Sequence, residues 1–137
     1  MLSCALMPFD GSEASPNDTP VLLIEVDTYA RLRHELALRS AGYHVRVFAA
    51  CPGPVDLHYA ALVLADLPSY EVLRHQPASR LPPVVVLADD DRSGVAACLH
   101  GAAAWAPARG QAAYLVDTVG GVLHAGHGET RQGRGTA

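Results

Sequence analysis

Carboxylates recur at the ends of apolar runs in this sequence. Glu25 and Asp27 close VLLIEVD (21–27), Asp66 closes ALVLAD (61–66), and Asp89–Asp91 follow PVVVLA (83–88). Acids delivered to one place by buried strands look like the makings of an acidic active site. Two features count against a working site of that kind. Glu25 and Asp27 are split by Val26, which in a strand points to the opposite face from both. The chain has no lysine, all ten of its basic residues being arginines, so no lysine ammonium can complete a site among these acids. Other chemistry is sparse. His124 and His127 are two ligands near the end of the chain, short of a metal set. Cys4, Cys51 and Cys98 are an odd number without CxxC spacing, which indicates neither a disulfide framework nor zinc.

Composition narrows the class. A length of 137 residues is one ordinary domain, large enough for its own core. The net charge of −4 argues against nucleic-acid binding, and no apolar run is long enough to span a membrane. The opening MLSCALMPFD lacks the basic start of a signal peptide, so a cytoplasmic, reducing setting is expected. Residues 1–19, rich in Pro, Gly, Ser, Asp and Asn from Pro8 onward, read as a flexible extension. Residues 126–137, almost without apolar side chains, read as a disordered tail, leaving 20–125 as the domain.

Within 20–125, short β-branched runs at 21–26, 44–49, 61–66 and 83–88 read as buried parallel strands, and AAAWA (102–106) as a fifth. Helical patterns lie between them. In DTYARLRHELALRSAG the stripe is Tyr29, Leu32 and Leu36, with Asp27 or Thr28 as cap and Gly42 as stop. Val95, Cys98 and Leu99 form a shorter stripe ending at Gly101. Leu115, Val119, Val122 and Leu123 form the last, with Gly120 and Gly121 expected to soften it. The alternation predicts an α/β, doubly wound parallel sheet.

In that order, VLLIEVD, the helix ending in AGYHVRV, ALVLADL, VVVLA and HGAAAWAPAR resemble the receiver domains of bacterial response regulators. The resemblance implies a flavodoxin-like sheet of five strands in the order 2-1-3-4-5, with the site at the carboxyl ends of the strands. It also implies a degenerate site. Glu25 takes the first acid position, Val26 the second, and Asp66 the phosphoacceptor position. Ala88 stands for the hydroxyl residue, Ala108 for the lysine, and Trp105 for the aromatic switch residue. Arg109 is a bulkier and differently shaped substitute for the lysine. Glu25, Asp66 and Asp89 are weak candidates for Mg²⁺, which wants near-octahedral oxygen ligands; no cofactor is expected. The null for Asp89–Asp91 is an acidic helix start, favourable to the dipole.

The expectation is a non-enzymatic, pseudo-receiver type of domain in two-component signalling, acting through a protein partner or a homodimer and not by phosphorylation. Alternatives are a receiver still phosphorylated at Asp66 by a histidine kinase, or a small-molecule or nucleotide sensor using the vacated acidic rim. One structural expectation concerns CPGPVDLHYA (51–60). It leaves room for one helical turn around Val55–Tyr59, and prolines at 77, 82 and 83 shorten the third helix. That sheet face should be thinly shielded, and covered by a second copy, a partner or MLSCALM.

Overall fold

The structure, a computed structural model, describes residues 19–76 and 81–136, with side chains as far as residue 125. Pro77 and nearly all of the extension over 1–19 lie outside the described residues. So do the side chains of the expected tail, over 126–137, although the backbone of the last helix continues to Thr136.

Five strands form one sheet: β1 (Val21–Ile24), β2 (Val45–Phe48), β3 (Leu62–Asp66), β4 (Val84–Ala88) and β5 (Ala104–Pro107). All pairings are parallel and the order is β2-β1-β3-β4-β5, as expected. The helices are α1 (Thr28–Ser40), α2 (Pro54–His58), α3 (Leu67–Arg74), α4 (Asp91–Leu99) and α5 (Ala112–Thr136). The central strands read as unbroken apolar runs because helices cover both their faces; every residue of β1 and β4 is buried. On one face, Leu38 of α1 and Leu115 and Val119 of α5 close over Leu23, Leu64 and Val85. On the other, α2, α3 and α4 cover Leu22, Ile24, Val63 and Val86.

The helix stops are where glycine allows them. Gly42 and Gly101 take φ of +97° and +115°, the left-handed region open to glycine. Each lets the chain wrap back. Gly42 and Tyr43 donate to the Arg39 and Leu38 carbonyls, and Gly101 and Ala102 donate to those of Cys98 and Ala97.

Two helix phases differ from expectation. In α1 it is His34 and Leu38 that are buried, whereas Tyr29, Leu32 and Leu36 are more than half exposed. The phase follows His34, whose ring is hydrogen-bonded beneath the helix. In α4 the inward residues are Gly94 and Ala97, while Val95 and Leu99 face out and Cys98 is half-buried. The cause is Trp105 on β5. A Cβ on Gly94 would lie 2.0 Å from its indole ring, so α4 can sit there only by presenting no side chain. The last helix keeps its expected stripe, and Gly120 and Gly121 do not interrupt it.

The short second and third helices are as expected, but the thinly shielded face is not found. Leu57, the inward residue of the single turn α2, is 2% exposed, and burying it contributes roughly 1.5–3 kcal/mol. Arg46 of β2 holds that turn in place through Asp56 at 2.7 Å. Tyr70 and Leu73 of α3 fill the middle, with the Tyr70 hydroxyl donating to the His100 carbonyl at the end of α4. Close packing of large side chains replaces helix length.

Candidate functional site at the carboxyl rim of the sheet

The ends of β1, β3 and β4 bring Glu25, Asp66 and Asp89 to the same rim, but each acid is differently employed. Glu25 is 3% exposed, just past the end of β1, where its N–H still donates to Phe48. Its Oε1 lies 2.6 Å from Nδ1 of His34, which is equally buried. Nε2 of the same ring is 3.1 Å from the carbonyl oxygen of Ala108. A carbonyl only accepts, so Nε2 carries a hydrogen. One further proton must then lie between Nδ1 and the carboxyl, shared by an imidazolium and a carboxylate or by an imidazole and a carboxylic acid. In either form the pair satisfies itself in a place without water.

Asp66 is also occupied. It is the N-cap of α3, with Oδ1 accepting the Ser69 N–H at 2.9 Å, and Oδ2 accepts the Val26 N–H at 2.8 Å. Asp66 thus fastens the β1–α1 turn to α3. The acids on either side are helix caps as well. Asp27 accepts from the Ala30 N–H at the start of α1, and Asp90 from the Ser93 N–H at the start of α4. The bond to the Ser93 backbone, followed by one to its side chain, holds the Asp90 carboxyl below the ordinary carboxylate value. The run Asp89–Asp91 is therefore the acidic helix start that the sequence allowed, and Asp89 and Asp91 are exposed.

Two arginines of α1 complete the closure. Arg31 donates to the Glu25 carbonyl at 2.8 Å, and Arg33 to the Ala108 carbonyl at 3.0 Å. The Ala108 carbonyl thus receives both Arg33 and His34 from across the rim. Arg109, the expected substitute, is exposed, and it is Arg33 that reaches the Ala108 carbonyl.

The remaining positions offer no chemistry. Ala88 is buried, Ala108 packs on the core, and Val26 points into solvent. Trp105 is half-buried against Gly94. A magnesium cage does not fit these residues. Glu25 is bound to His34, both Asp66 oxygens accept backbone N–H groups, and among the described residues no three His, Cys, Asp or Glu side chains gather.

His34 is the site residue that the sequence reading missed. Its signal was present but ambiguous. His34 and Leu38 stand four apart, with alanines at 30, 37 and 41 beside them, in competition with the bulkier Tyr29–Leu32–Leu36 stripe. Only a buried acid in need of a partner decides between the two.

No known family model matches the chain, and no curated protein matches it in sequence. Solved structures do. A response regulator receiver domain protein (CheY-like) from Methanospirillum hungatei has a TM-score of 0.66 at 18% identity, covering 81% of this chain and 98% of its own. The chain has the fold of a receiver domain. A response regulator receiver protein from Burkholderia phymatum gives 0.64 at 20% identity, over 77% and 94%. A putative response regulator from Chloroflexus aurantiacus gives 0.63 at 22%, over 77% and 98%. Such a receiver fold places the rim of Glu25, Asp66 and Ala88 where ligands of doubly wound sheets bind. Among the described residues, no helix is long and apolar enough to cross a membrane.

Proposed function

We propose that this chain is a degenerate receiver, a signalling domain that works by binding protein partners without depending on phosphorylation. The observation that carries the reading is the saturation of the two acids that remain. Glu25 is closed on His34, and both oxygens of Asp66 hold backbone N–H groups. Phosphoryl transfer to a carboxylate depends on neutralising and positioning the transferred group. Here the second acid, the hydroxyl and the lysine are Val26, Ala88 and Ala108, and no lysine exists to be recruited. Phosphorylation of Asp66 would also break one of the two bonds that fix the β1–α1 turn and the start of α3.

A rim held by internal bonds suits a domain whose output surface stays in one state. Trp105 locked against Gly94 fits that reading, because an aromatic group with a glycine-shaped seat and no hydroxyl to pursue has little reason to move. The partner is a signalling protein or a second copy of the chain.

The deciding experiment is incubation of the full chain with a small acyl phosphate and Mg²⁺, followed by intact-mass measurement. No stable phosphate adduct is the expected result. Stoichiometric addition that Asp66→Asn abolishes would overturn the proposal in favour of a receiver still phosphorylated there by a histidine kinase. A thermal-shift screen of nucleotides and metabolites tests the third reading, a sensor of small molecules, since a ligand of the folded state raises the melting temperature.

A further inference from the structure

The ring of His34 has two acceptors to satisfy and, when neutral, one hydrogen to offer. Nδ1 lies 2.6 Å from Oε1 of Glu25, and Nε2 lies 3.1 Å from the carbonyl oxygen of Ala108. Both side chains are out of water, 4% and 3% exposed. A neutral imidazole donates through one nitrogen and accepts through the other, so it cannot serve an ionised Glu25 and a carbonyl together. The two contacts hold at once only while the pair carries one proton more than a carboxylate and a neutral ring. When that proton leaves, one contact has to go. An ionised acceptor holds a donor more strongly than a peptide carbonyl does, so the remaining hydrogen belongs on Nδ1, against Glu25. Nε2 then turns a lone pair on the Ala108 oxygen, and the two repel. A second added proton is no better tolerated. It would leave an imidazolium beside an uncharged acid, a buried charge without its counter-charge.

We propose that Glu25 and His34 form a proton-operated clasp between α1 and the loop joining β5 to α5, closed with one shared proton and opened at the Ala108 carbonyl when that proton leaves. Ala108 directly follows β5, and its N–H donates to the Ala88 carbonyl at 2.8 Å. The sheet side of the residue is thus fixed, and release of its carbonyl acts on residues 109–111 and the start of α5. Arg33 still donates to that carbonyl, so opening is a local slackening and not an unfolding. The charged groups nearby have other partners or stand apart. Arg31 donates to the Glu25 carbonyl, while Asp27 and Asp66 accept the N–H groups of Ala30, Val26 and Ser69. On the α5 side, Asp117 lines the same groove as Arg33, and Arg109 on the loop is exposed. That leaves the pair as the unit that titrates. The rim stays in one state so long as the pair keeps its one proton, and the clasp does not depend on whether Asp66 accepts phosphate.

The test follows the full chain by NMR as pH is raised from about 6 into the alkaline range. It reads the two ring nitrogens of His34, the carbonyl carbon of Ala108 and the Cα carbons of Arg109 and Gly110. Nε2 should lose its hydrogen while Nδ1 keeps one, and the three carbon signals should shift with the same midpoint. Glu25→Gln is the decisive variant. Its amide can donate to Nδ1 of a neutral ring whose Nε2–H stays on Ala108, which closes the clasp without an extra proton. In that variant the ring should hold the neutral Nε2–H form throughout, and the loop signals should not move. Titration of the natural ring with no shift at residues 108–110 would overturn the proposal. So would a ring unchanged up to alkaline unfolding, or loop shifts that persist in Glu25→Gln. Should Glu25→Gln not fold, the ring and loop signals of the natural chain still decide.

Discussion

The two halves of the rim differ in how their residues are held. At the β1 and β3 end each acid has partners within the fold: His34 for Glu25, backbone N–H groups for Asp66. At the β4 and β5 end the acids, Asp89 to Asp91, are exposed, and the inward positions hold Ala88, Ala108 and a tryptophan seated on Gly94. The contrast follows from what burial asks of each residue type. A buried carboxyl must be paired or it costs several kcal/mol, so a buried acid needs a cation or donor beside it. A methyl group asks for nothing but contact. The first half should therefore be sensitive to loss of any partner, and the second sensitive only to shape.

The largest effect is expected at His34. His34→Leu leaves Glu25 buried without its partner and should cost roughly 3–5 kcal/mol in urea unfolding. Adding Glu25→Leu should recover much of this, making the double variant more stable than His34→Leu alone. Additive losses would mean that the 2.6 Å contact is not what holds the pair.

The shape-limited half is tested at Gly94. Gly94→Ala sets a methyl group 2.0 Å from the Trp105 ring, and the overpacking should cost about 1–3 kcal/mol. Trp105 is the chain's only tryptophan, so its emission should shift to the red as the ring is pushed into solvent. Trp105→Leu should relieve most of the penalty of Gly94→Ala. If the emission of Gly94→Ala is unmoved, the glycine is not the seat of the ring.

Asp66 comes next, since its partners are bonds at a half-exposed helix start. Asp66→Ala removes a cap worth about 0.5–2 kcal/mol together with the tie to Val26. Asp66→Asn keeps an acceptor for Ser69 and should lose less. Equal losses in the two variants would place the stabilisation in the charge and not in the cap.

What the sequence made legible was the part governed by strand runs and glycine stops. Five apolar runs separated by helical patterns give the parallel sheet, the resemblance to receiver domains gives its order, and Gly42 and Gly101 end helices as expected. That Glu25, Asp66 and Asp89 reach one rim was also legible, because it depends only on which residues follow each strand. The phases of α1 and α4 were not. In both, the inward residues were chosen by a single long-range contact, Glu25 with His34 and Trp105 with Gly94, which outweighs a bulkier stripe on the same helix. The thin face misled for a related reason. Helix length was taken to measure cover, whereas Leu57, Tyr70 and Leu73 cover the strands by size and position.

The smallest effect is expected at Asp90, on the β4 side of the rim, where it is an exposed helix cap. Its carboxyl sits below the ordinary carboxylate value because the ionised form accepts the Ser93 N–H and then the Ser93 side chain. A group whose pKa is depressed in the fold adds stability above its unfolded value, about 3.9 for an aspartate, and loses it as pH falls through the folded value. Near neutral pH the contribution is complete and flat. In acid it should fade, loosening the first turn of α4 and with it the seat of Trp105 on Gly94. Asn caps helices about as well as Asp but does not titrate here, so Asp90→Asn is the reference. The stability difference between the natural chain and Asp90→Asn should be constant above about pH 5 and shrink below about pH 4. Trp105 emission, followed in the same titration, is the local reading. A difference that holds its neutral value down to the onset of global acid unfolding would show that the cap acts through geometry alone.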